Sequence, residues 1–310
     1  MKPEMSQYLQ NLAAKGLPAP WEAPVATLRA NLEGRPLLSG TPEPIHSVQH
    51  RFIPGPTSDL PIRIYRPFEN PKGKNLPALL YFHGGGWVLN TLDIYEQALR
   101  SMANKGQFVV IAVGYQKAPE HKFPIPFDDC YATLEWALQN ASLLGIDPEQ
   151  IGVGGDSAGA TLAAAVAIKA RDTRIVNLKF QALIYPCMDP SLRSDSAREF
   201  AMGYGLTAKA MEWFWKQYLN ASADIKNPYA VPASAKDLTG VAPAIIFTAE
   251  FDPLLDDGYA YADQLKRSGV RVIYREWEGQ IHGCFILAEV TPDSELIQSD
   301  LAKEINSLLD

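Results

Sequence analysis

Short runs of apolar residues recur along most of the chain, and segments with helical spacing separate them. From the third run onward most runs are continuously apolar, which is typical of strands covered on both faces. The extended runs are 48–53, 61–65, 78–82, 108–113, 151–153, 182–185, 244–248 and 270–276, and the main helical segments are 132–139, 158–170, 257–268 and 292–308. This alternation predicts an α/β fold in which a mostly parallel, eight-stranded sheet carries helices on both faces.

Two parts of the chain depart from the alternation. The N-terminal region has short helical patterns at 7–15 and 21–32, interrupted by prolines. Residues 186–243 separate two extended runs and include an amphipathic helical pattern, 203–219, that is rich in Trp, Phe and Tyr. These aromatic residues belong either to the core or to the roof of a pocket, because an insertion at the carboxyl ends of parallel strands lies where α/β folds bind ligands.

The charge, the apolar stretches and the cysteines of the chain argue against several classes of function. Lys and Arg number 28 and Asp and Glu 35, which gives a net charge of −7, and no basic run suggests nucleic acid as a partner. The N-terminal residues lack the apolar block of a signal peptide, and no stretch approaches the roughly 18–20 apolar residues that cross a bilayer. Cys130, Cys187 and Cys284 match neither a disulfide framework nor a zinc spacing. We therefore expect a cytoplasmic protein with no membrane span and no metal.

A serine motif follows the fifth extended run. Residues 155–159 read Gly-Asp-Ser-Ala-Gly, which has the G-x-S-x-G form of a nucleophile elbow, a strained turn between a strand and a helix. Glycines flank such a serine because side chains there would collide with neighbouring backbone. A dinucleotide-binding fingerprint begins at Gly152 in the same context, but its third glycine would fall at Ser157. The pattern therefore predicts that Ser157 is a nucleophile.

A serine nucleophile needs a base, and in hydrolases of this type the chain order is serine, acid, histidine. Of the five histidines only His282 follows Ser157, in a glycine-flanked loop after the last extended run. Asp252 follows the 244–248 run, so its side chain can reach across the carboxyl edge of the sheet. Its alternative role is to cap the next helix, with Pro253 at the first helical position.

Other carboxylates near Asp252 compete for the role of the acid. They are Glu250, Asp256 and Asp257, and we expect the last two on the following helix.

Three consecutive glycines follow the 78–82 run, in the segment His83-Gly84-Gly85-Gly86-Trp87. A serine acyl-transfer enzyme needs backbone N–H donors aimed at the oxyanion that develops on the substrate, and one comes from the residue after the nucleophile, here Ala158. Glycines let this loop bring bare N–H groups to the substrate, so we expect the other donors here.

In combination these motifs resemble the bacterial hormone-sensitive-lipase-like carboxylesterases, in the branch with Gly-Asp-Ser-Ala-Gly at the elbow. The resemblance runs from about residue 48 to the C-terminus and includes Ala-Pro-Glu-His-Lys-Phe-Pro at 118–124 and Glu-Phe-Asp-Pro-Leu at 250–254. It implies an α/β-hydrolase fold with a helical cap. Residues 1–45 would form N-terminal cap helices, and 46–310 the catalytic domain with a cap insertion at about 190–225.

The same resemblance implies the roles of the site residues. Ser157, Asp252 and His282 would form the triad, and the N–H groups of Gly85, Gly86 and Ala158 the oxyanion hole. His83 and Gly84 would support the oxyanion loop. We expect the substrate pocket to be lined by Trp87, Asp156, Tyr185, Tyr204, Leu206, Phe214 and Phe285.

The implied reaction is hydrolysis of short-chain acyl esters through an acyl-enzyme on Ser157, with no metal or cofactor. The partner would be a small-molecule ester, and a homodimer is compatible with the sequence. Acyl chains of roughly two to eight carbons are expected, because overfilling a closed pocket costs about 1–3 kcal/mol. An amidase or deacetylase on the same triad stays open, as does a non-catalytic small-molecule receptor on the same fold.

Overall fold

The extended runs form a single sheet in the computed structural model, which describes residues 1–33, 38–71 and 74–309. Within those ranges the sheet has eight strands: β1 (Ser47–Pro54), β2 (Asp59–Arg66), β3 (Leu76–Phe82), β4 (Val109–Val113), β5 (Ile146–Asp156), β6 (Gln181–Ile184), β7 (Ala244–Phe251) and β8 (Val272–Ile281). Their order is β1-β2-β4-β3-β5-β6-β7-β8, and β2 is antiparallel to both neighbours while the others pair in parallel. The predicted α/β architecture is confirmed.

The described residues form ten α-helices, and those packed on the two faces of the sheet are α3, α4, α6, α9 and α10. The full set is α1 (Pro3–Ala14), α2 (Val25–Glu33), α3 (Glu96–Gly106), α4 (Ile125–Gln139), α5 (Ala141–Leu144), α6 (Ala158–Thr173), α7 (Asp195–Glu199), α8 (Ala208–Tyr218), α9 (Leu255–Arg267) and α10 (Asp293–Leu309). The sequence pattern did not predict α3, because two polar residues, Gln97 and Ser101, interrupt its buried face.

The central strands divide the core into two layers. Leu80 and Phe82 of β3 pack with α4, α6 and α9, whereas Leu79 and Tyr81 pack with α3 and α10 on the opposite face. Successive side chains of a strand point to opposite faces, so a strand covered on both sides is apolar throughout. This is the physical origin of the continuous runs.

The N-terminal helices lie against the carboxyl end of the sheet. In α2, Arg29 donates to the carbonyl oxygens of Val88 and Ala118, at 2.8 Å each, and forms an ion pair with Glu120. Before α1, the backbone N–H of Lys2 donates to the carbonyl of Gly279 at 3.0 Å. Residues 34–37 of the range 1–45 lie outside the described residues. Across the described ranges, no helix has the length and apolarity to span a bilayer.

Candidate active site

Ser157 lies at the turn between β5 and α6 with the backbone angles φ 53° and ψ −122°, a conformation that costs a non-glycine residue free energy. Its backbone N–H donates to the carbonyl of Ile184 at 2.8 Å, which fixes the turn over the sheet edge. A Cβ atom added to Gly159 would lie 1.9 Å from the carbonyl oxygen of Phe82. The tight turn between β5 and α6 therefore requires glycine at position 159.

Three side chains from separate strand ends form one hydrogen-bonded chain. Nε2 of His282 lies 2.9 Å from Oγ of Ser157, and Nδ1 of His282 lies 2.7 Å from Oδ2 of Asp252. Because a carboxylate only accepts, Nδ1 carries the proton, and Nε2 is then free to accept from the serine hydroxyl. The arrangement can therefore remove the hydroxyl proton of Ser157.

The carboxylate of Asp252 is fully buried and does two things at once. While Oδ2 accepts from His282, Oδ1 accepts from the backbone N–H of Leu254 at 2.9 Å. The alternative role of Asp252 as the cap of the next helix is wrong, because α9 begins at Leu255 with Leu254 at its N-cap and no side-chain cap. The bond from the N–H of Leu254 instead holds the carboxylate in one orientation toward the imidazole.

The other three carboxylates that the sequence offered as the acid form hydrogen bonds with groups other than His282. Asp256 and Asp257 lie on α9, as expected, and face the 186–243 insertion: Asp256 accepts from the N–H of Ser196 at 2.8 Å, and Asp257 from the N–H groups of Met188 and Asp189 at 2.7 and 2.9 Å. Glu250 accepts from the N–H of Gly279 at 2.6 Å.

The glycine loop after β3 has a backbone that few other residues adopt. Gly85 and Gly86 have φ angles of 104° and 61°. None of the hydrogen bonds between described residues uses the N–H groups of Gly85, Gly86 or Ala158. These three N–H groups therefore have no acceptor among the described residues.

His83 anchors the start of this loop. Its Nδ1 lies 2.8 Å from the carbonyl oxygen of Gly84, its ring stacks on Tyr115 at 4.4 Å, and the hydroxyl of Tyr115 donates to its carbonyl at 2.7 Å. Burial lowers the pKa of His83 to about 4, so the ring is neutral at physiological pH.

Asp156, next to the nucleophile, ties the glycine loop to the elbow. Its Oδ1 accepts from the hydroxyl of Tyr81 and the N–H of Gly84, both at 2.9 Å. Its Oδ2 accepts from the hydroxyl of Tyr95 at 2.9 Å, and that hydroxyl in turn accepts from the N–H of Gly84 at 3.0 Å. Burial raises the pKa of Asp156 to about 6, while the hydrogen bonds from both tyrosines and Gly84 oppose the rise.

A cavity of about 150 Å³ opens beside Ser157. Of the residues expected to line it, Asp156, Leu206 and Phe214 do so. The wall also includes residues that the sequence argument did not single out as pocket residues, namely Asn90, Tyr95, Met211, Gly283 and Ile286. Met211 lies in the amphipathic pattern at 203–219, but nothing in the local sequence marks Tyr95 or Ile286 as neighbours of the nucleophile.

Four expected lining residues lie outside this wall, and each has a packing reason. Trp87 is fully buried and stacks on Tyr218 at 4.3 Å. Phe285 stacks on Tyr81 at 6.0 Å, and Tyr204 on Phe251 at 5.7 Å. Tyr185 lies behind the base, its ring centroid 4.5 Å from that of His282. The structure thus places these four side chains outside the lining of this cavity.

The aromatic helix α8 serves both of the roles that the sequence left open. Phe214 and Met211 line the cavity, whereas Trp215 and Tyr218 pack in the core around Trp87. At 3.6 residues per turn all four side chains lie in one stripe of α8, so their neighbours in the fold decide which of them reach the cavity.

The described residues contain no group of three or more His, Cys, Asp or Glu side chains arranged to hold a metal ion.

Comparison with known proteins defines the class to which this site belongs. A family model described as the alpha/beta hydrolase fold matches residues 79–286. The chain is 33% identical over 305 residues to the ethyl acetate hydrolase of Pseudomonas putida, covering 95% of each chain. It is 38% identical over 225 residues to an arylesterase of Saccharolobus solfataricus, covering 72% of each.

Solved structures of esterases have the same fold as this chain. The hyperthermophilic esterase of Pyrobaculum calidifontis superposes with a TM-score of 0.92 at 38% identity, covering 99% of this chain and 98% of that one. An ester hydrolase from the metagenome of Lake Arreo, complexed with a derivative of bipyridine phosphonate, superposes with a TM-score of 0.93 at 35% identity, with the same coverage. The chain belongs to the α/β-hydrolase fold family. Within that family it is a hormone-sensitive-lipase-like carboxylesterase.

Proposed function

We propose that the protein hydrolyses short-chain carboxylic esters through an acyl-enzyme on Ser157. The observation that carries the proposal is the chain of hydrogen bonds from Ser157 through His282 to Asp252, with bonds of 2.9 and 2.7 Å. In this scheme Ser157 attacks the ester carbonyl while Nε2 of His282 takes the hydroxyl proton, and Asp252 orients and stabilises the imidazolium.

The oxyanion of the tetrahedral intermediate would be held by the N–H groups of Gly85, Gly86 and Ala158. Removal of one such donor in serine hydrolases costs roughly 2.7–4 kcal/mol of transition-state stabilisation. The protonated His282 then gives its proton to the departing alcohol, and water hydrolyses the acyl-enzyme along the same route in reverse.

Two observations support short acyl chains. The cavity of about 150 Å³ is small beside the roughly 300–1,000 Å³ of most small-molecule pockets. Apolar side chains close it, namely Leu206, Met211, Phe214 and Ile286. The relative from Pseudomonas putida is named for ethyl acetate, itself a short ester.

In this proposal the insertion at about 190–225 forms a cap together with α1 and α2. A contact between the two parts supports the cap, since the ammonium of Lys209 lies 4.2 Å from the ring centroid of Trp21.

The decisive experiment replaces the nucleophile. Ser157→Ala should lower kcat for p-nitrophenyl acetate by roughly 10⁵–10⁶-fold, because residues of the triad act as one unit. Ser307→Ala, which removes an exposed hydroxyl on α10, is the control and should leave kcat unchanged. A reactive phosphonate should label the wild type at Ser157 and leave the Ser157→Ala variant unlabelled. Full turnover by that variant would refute the proposal.

Cellular context belongs to the same proposal. Cys130, Cys187 and Cys284 are free and buried, which supports a reducing cytoplasm. β8 is an edge strand, so pairing of two copies along it would support a homodimer. Light scattering of the purified protein and fractionation of the source cells test these two points.

A further inference from the structure

Strand β8 contains a bulge immediately before His282. Ala249 of β7 pairs with Trp277, whereas Phe251 pairs with Ile281, so Glu250 alone faces the three residues 278–280. Extra residues in one strand of a pair bend that strand, and such bulges often re-aim a side chain next to an active site.

The bulge brings the base level with the acid. A regular ladder continued from Ala249 and Trp277 would pair Phe251 with Gly279, and Asp252 would then face Gln280. Since a strand advances about 3.3 Å per residue, His282 would lie about 6.6 Å too far along β8 to face Asp252. The two extra residues absorb this distance, and Nδ1 of His282 comes within 2.7 Å of Asp252.

Gly279 lies at the centre of the bulge and is not paired with a residue of β7. Its backbone N–H and carbonyl groups form hydrogen bonds elsewhere. Its N–H donates to Oε2 of Glu250 at 2.6 Å, and its carbonyl accepts from the backbone N–H of Lys2 at 3.0 Å. The residue is buried and has a φ of 76°. A buried N–H without an acceptor is costly, so the carboxylate of Glu250 stabilises this conformation over a regular ladder.

We propose that Glu250 is a positioning residue that holds the bulge of β8 and thereby places His282 against Asp252. The inference rests on the proposed function of the triad. Glu250 lies two residues before Asp252 and Gly279 three residues before His282, so their hydrogen bond ties together the two strand ends that carry the acid and the base. Lys2 holds the same bulge from the other side.

Three variants at one position, with a control at another, test this. Glu250→Ala removes the acceptor. Glu250→Asp keeps the charge but shortens the side chain by one C–C bond, about 1.5 Å, so that it no longer reaches Gly279. Glu250→Gln keeps the length and an acceptor oxygen. Glu278→Gln removes a charge from an exposed residue of the same bulge and is the matched control.

Two readouts are measured on each folded protein. The first is the low-field proton NMR resonance of Nδ1–H of His282 in the resting enzyme, assigned by its absence in Asp252→Ala. The second is kcat and KM for p-nitrophenyl acetate. The Ala and Asp variants should lose or shift the resonance and lower kcat by about 10- to 100-fold with little change in KM, since small misplacements of reacting groups have costs of this size. The Gln variant and the Glu278→Gln control should resemble the wild type.

Two outcomes would overturn the inference. The first is a wild-type resonance and wild-type kcat in Glu250→Asp, which would make the contact structural only. The second is a Gln variant as impaired as the Ala variant, which would assign the effect to charge. The Asp and Gln variants keep the test informative where Glu250→Ala does not fold. Because the resonance is read without substrate and Ser157→Ala tests the reaction separately, the inference can fail while the proposed function stands.

Discussion

The ring of Phe214 lies directly against Gly86, since a Cβ atom added to that glycine would be only 2.2 Å from Cδ1 of the ring. The phenyl group of α8 therefore closes the cavity at the loop proposed to bind the oxyanion. Helix α8 and the glycine loop jointly limit the space beside Ser157.

Phe214→Ala should shift the chain-length preference toward longer acyl groups. Each additional methylene that the enlarged pocket buries contributes up to about 0.8 kcal/mol, which is roughly fourfold in kcat/KM. The measurement is kcat/KM across a series of p-nitrophenyl esters from acetate to decanoate. Tyr259→Ala, which removes an exposed aromatic side chain on α9, should leave the profile unchanged. An unchanged profile in Phe214→Ala would mean that the acyl chain lies elsewhere.

Asp252→Asn should lower kcat by about 10⁴-fold, because a neutral amide favours the wrong tautomer of the histidine. Asp256→Asn should keep most of the activity, since its side chain bonds the N–H of Ser196 and not the imidazole. Steady-state kinetics of both variants check this. A reversed ranking would place the acid on α9.

Tyr95→Phe should move the acid limb of the pH–kcat profile to higher pH. The ionised Asp156 accepts from Tyr81, Gly84 and Tyr95, and protonation turns one of its oxygens into a donor and weakens these bonds. Its pKa is about 6 with the Tyr95 hydrogen bond in place. Removing that bond destabilises the charged form, so the pKa of Asp156 rises and the oxyanion loop loosens at a higher pH.

The control for this prediction is Tyr261→Phe, a buried tyrosine on α9, which should leave the limb in place. Profiles from pH 4 to 9 compare the two variants with the wild type. Superimposable acid limbs in Tyr95→Phe and the wild type would separate Asp156 from the catalytic step.

Asp257→Asn should flatten the dependence of stability on pH while leaving activity largely intact. Burial raises the pKa of Asp257 to about 7, whereas an aspartate in an unfolded chain titrates near 3.9. The folded chain thus binds more protons than the unfolded one between these values, and the free energy of unfolding falls as pH rises from about 4 to 7. Each pKa unit of difference corresponds to about 1.4 kcal/mol.

Thermal unfolding at pH 5 and pH 8 measures this effect. The wild type should lose more Tm between the two values than Asp257→Asn does, and Asp195→Asn, at an exposed side chain, should behave as the wild type. Equal losses in all three proteins would exclude Asp257 as the source.

Much of the fold and part of the site could be predicted from the sequence, because the local conformation of the backbone restricts which residues can stand at a position. The turn at Ser157 requires glycine at 159 because the carbonyl of Phe82 lies there, and that requirement is written in the sequence as G-x-S-x-G. The strands were predictable for a similar reason, since a strand buried on both faces must be apolar at every position. Chain order then left His282 as the sole histidine after Ser157.

The direction of each side chain was decided only by the tertiary structure. Trp87 follows the glycine loop directly, yet its backbone φ of 60° turns the ring into a stack with Tyr218, while Phe214, remote in sequence, closes the cavity. Asp252 and Glu250 are two residues apart at the end of one strand, and no local pattern separates an acid that faces His282 from one that faces Gly279. Hydrogen bonds between the ends of β7 and β8 depend on the register of the two strands and on the bulge of β8. Neither the register nor the bulge can be read from the residues next to Asp252 or Glu250. The sequence by itself therefore determined the fold and the kinds of residue at the site, and packing between distant segments decided where each side chain points.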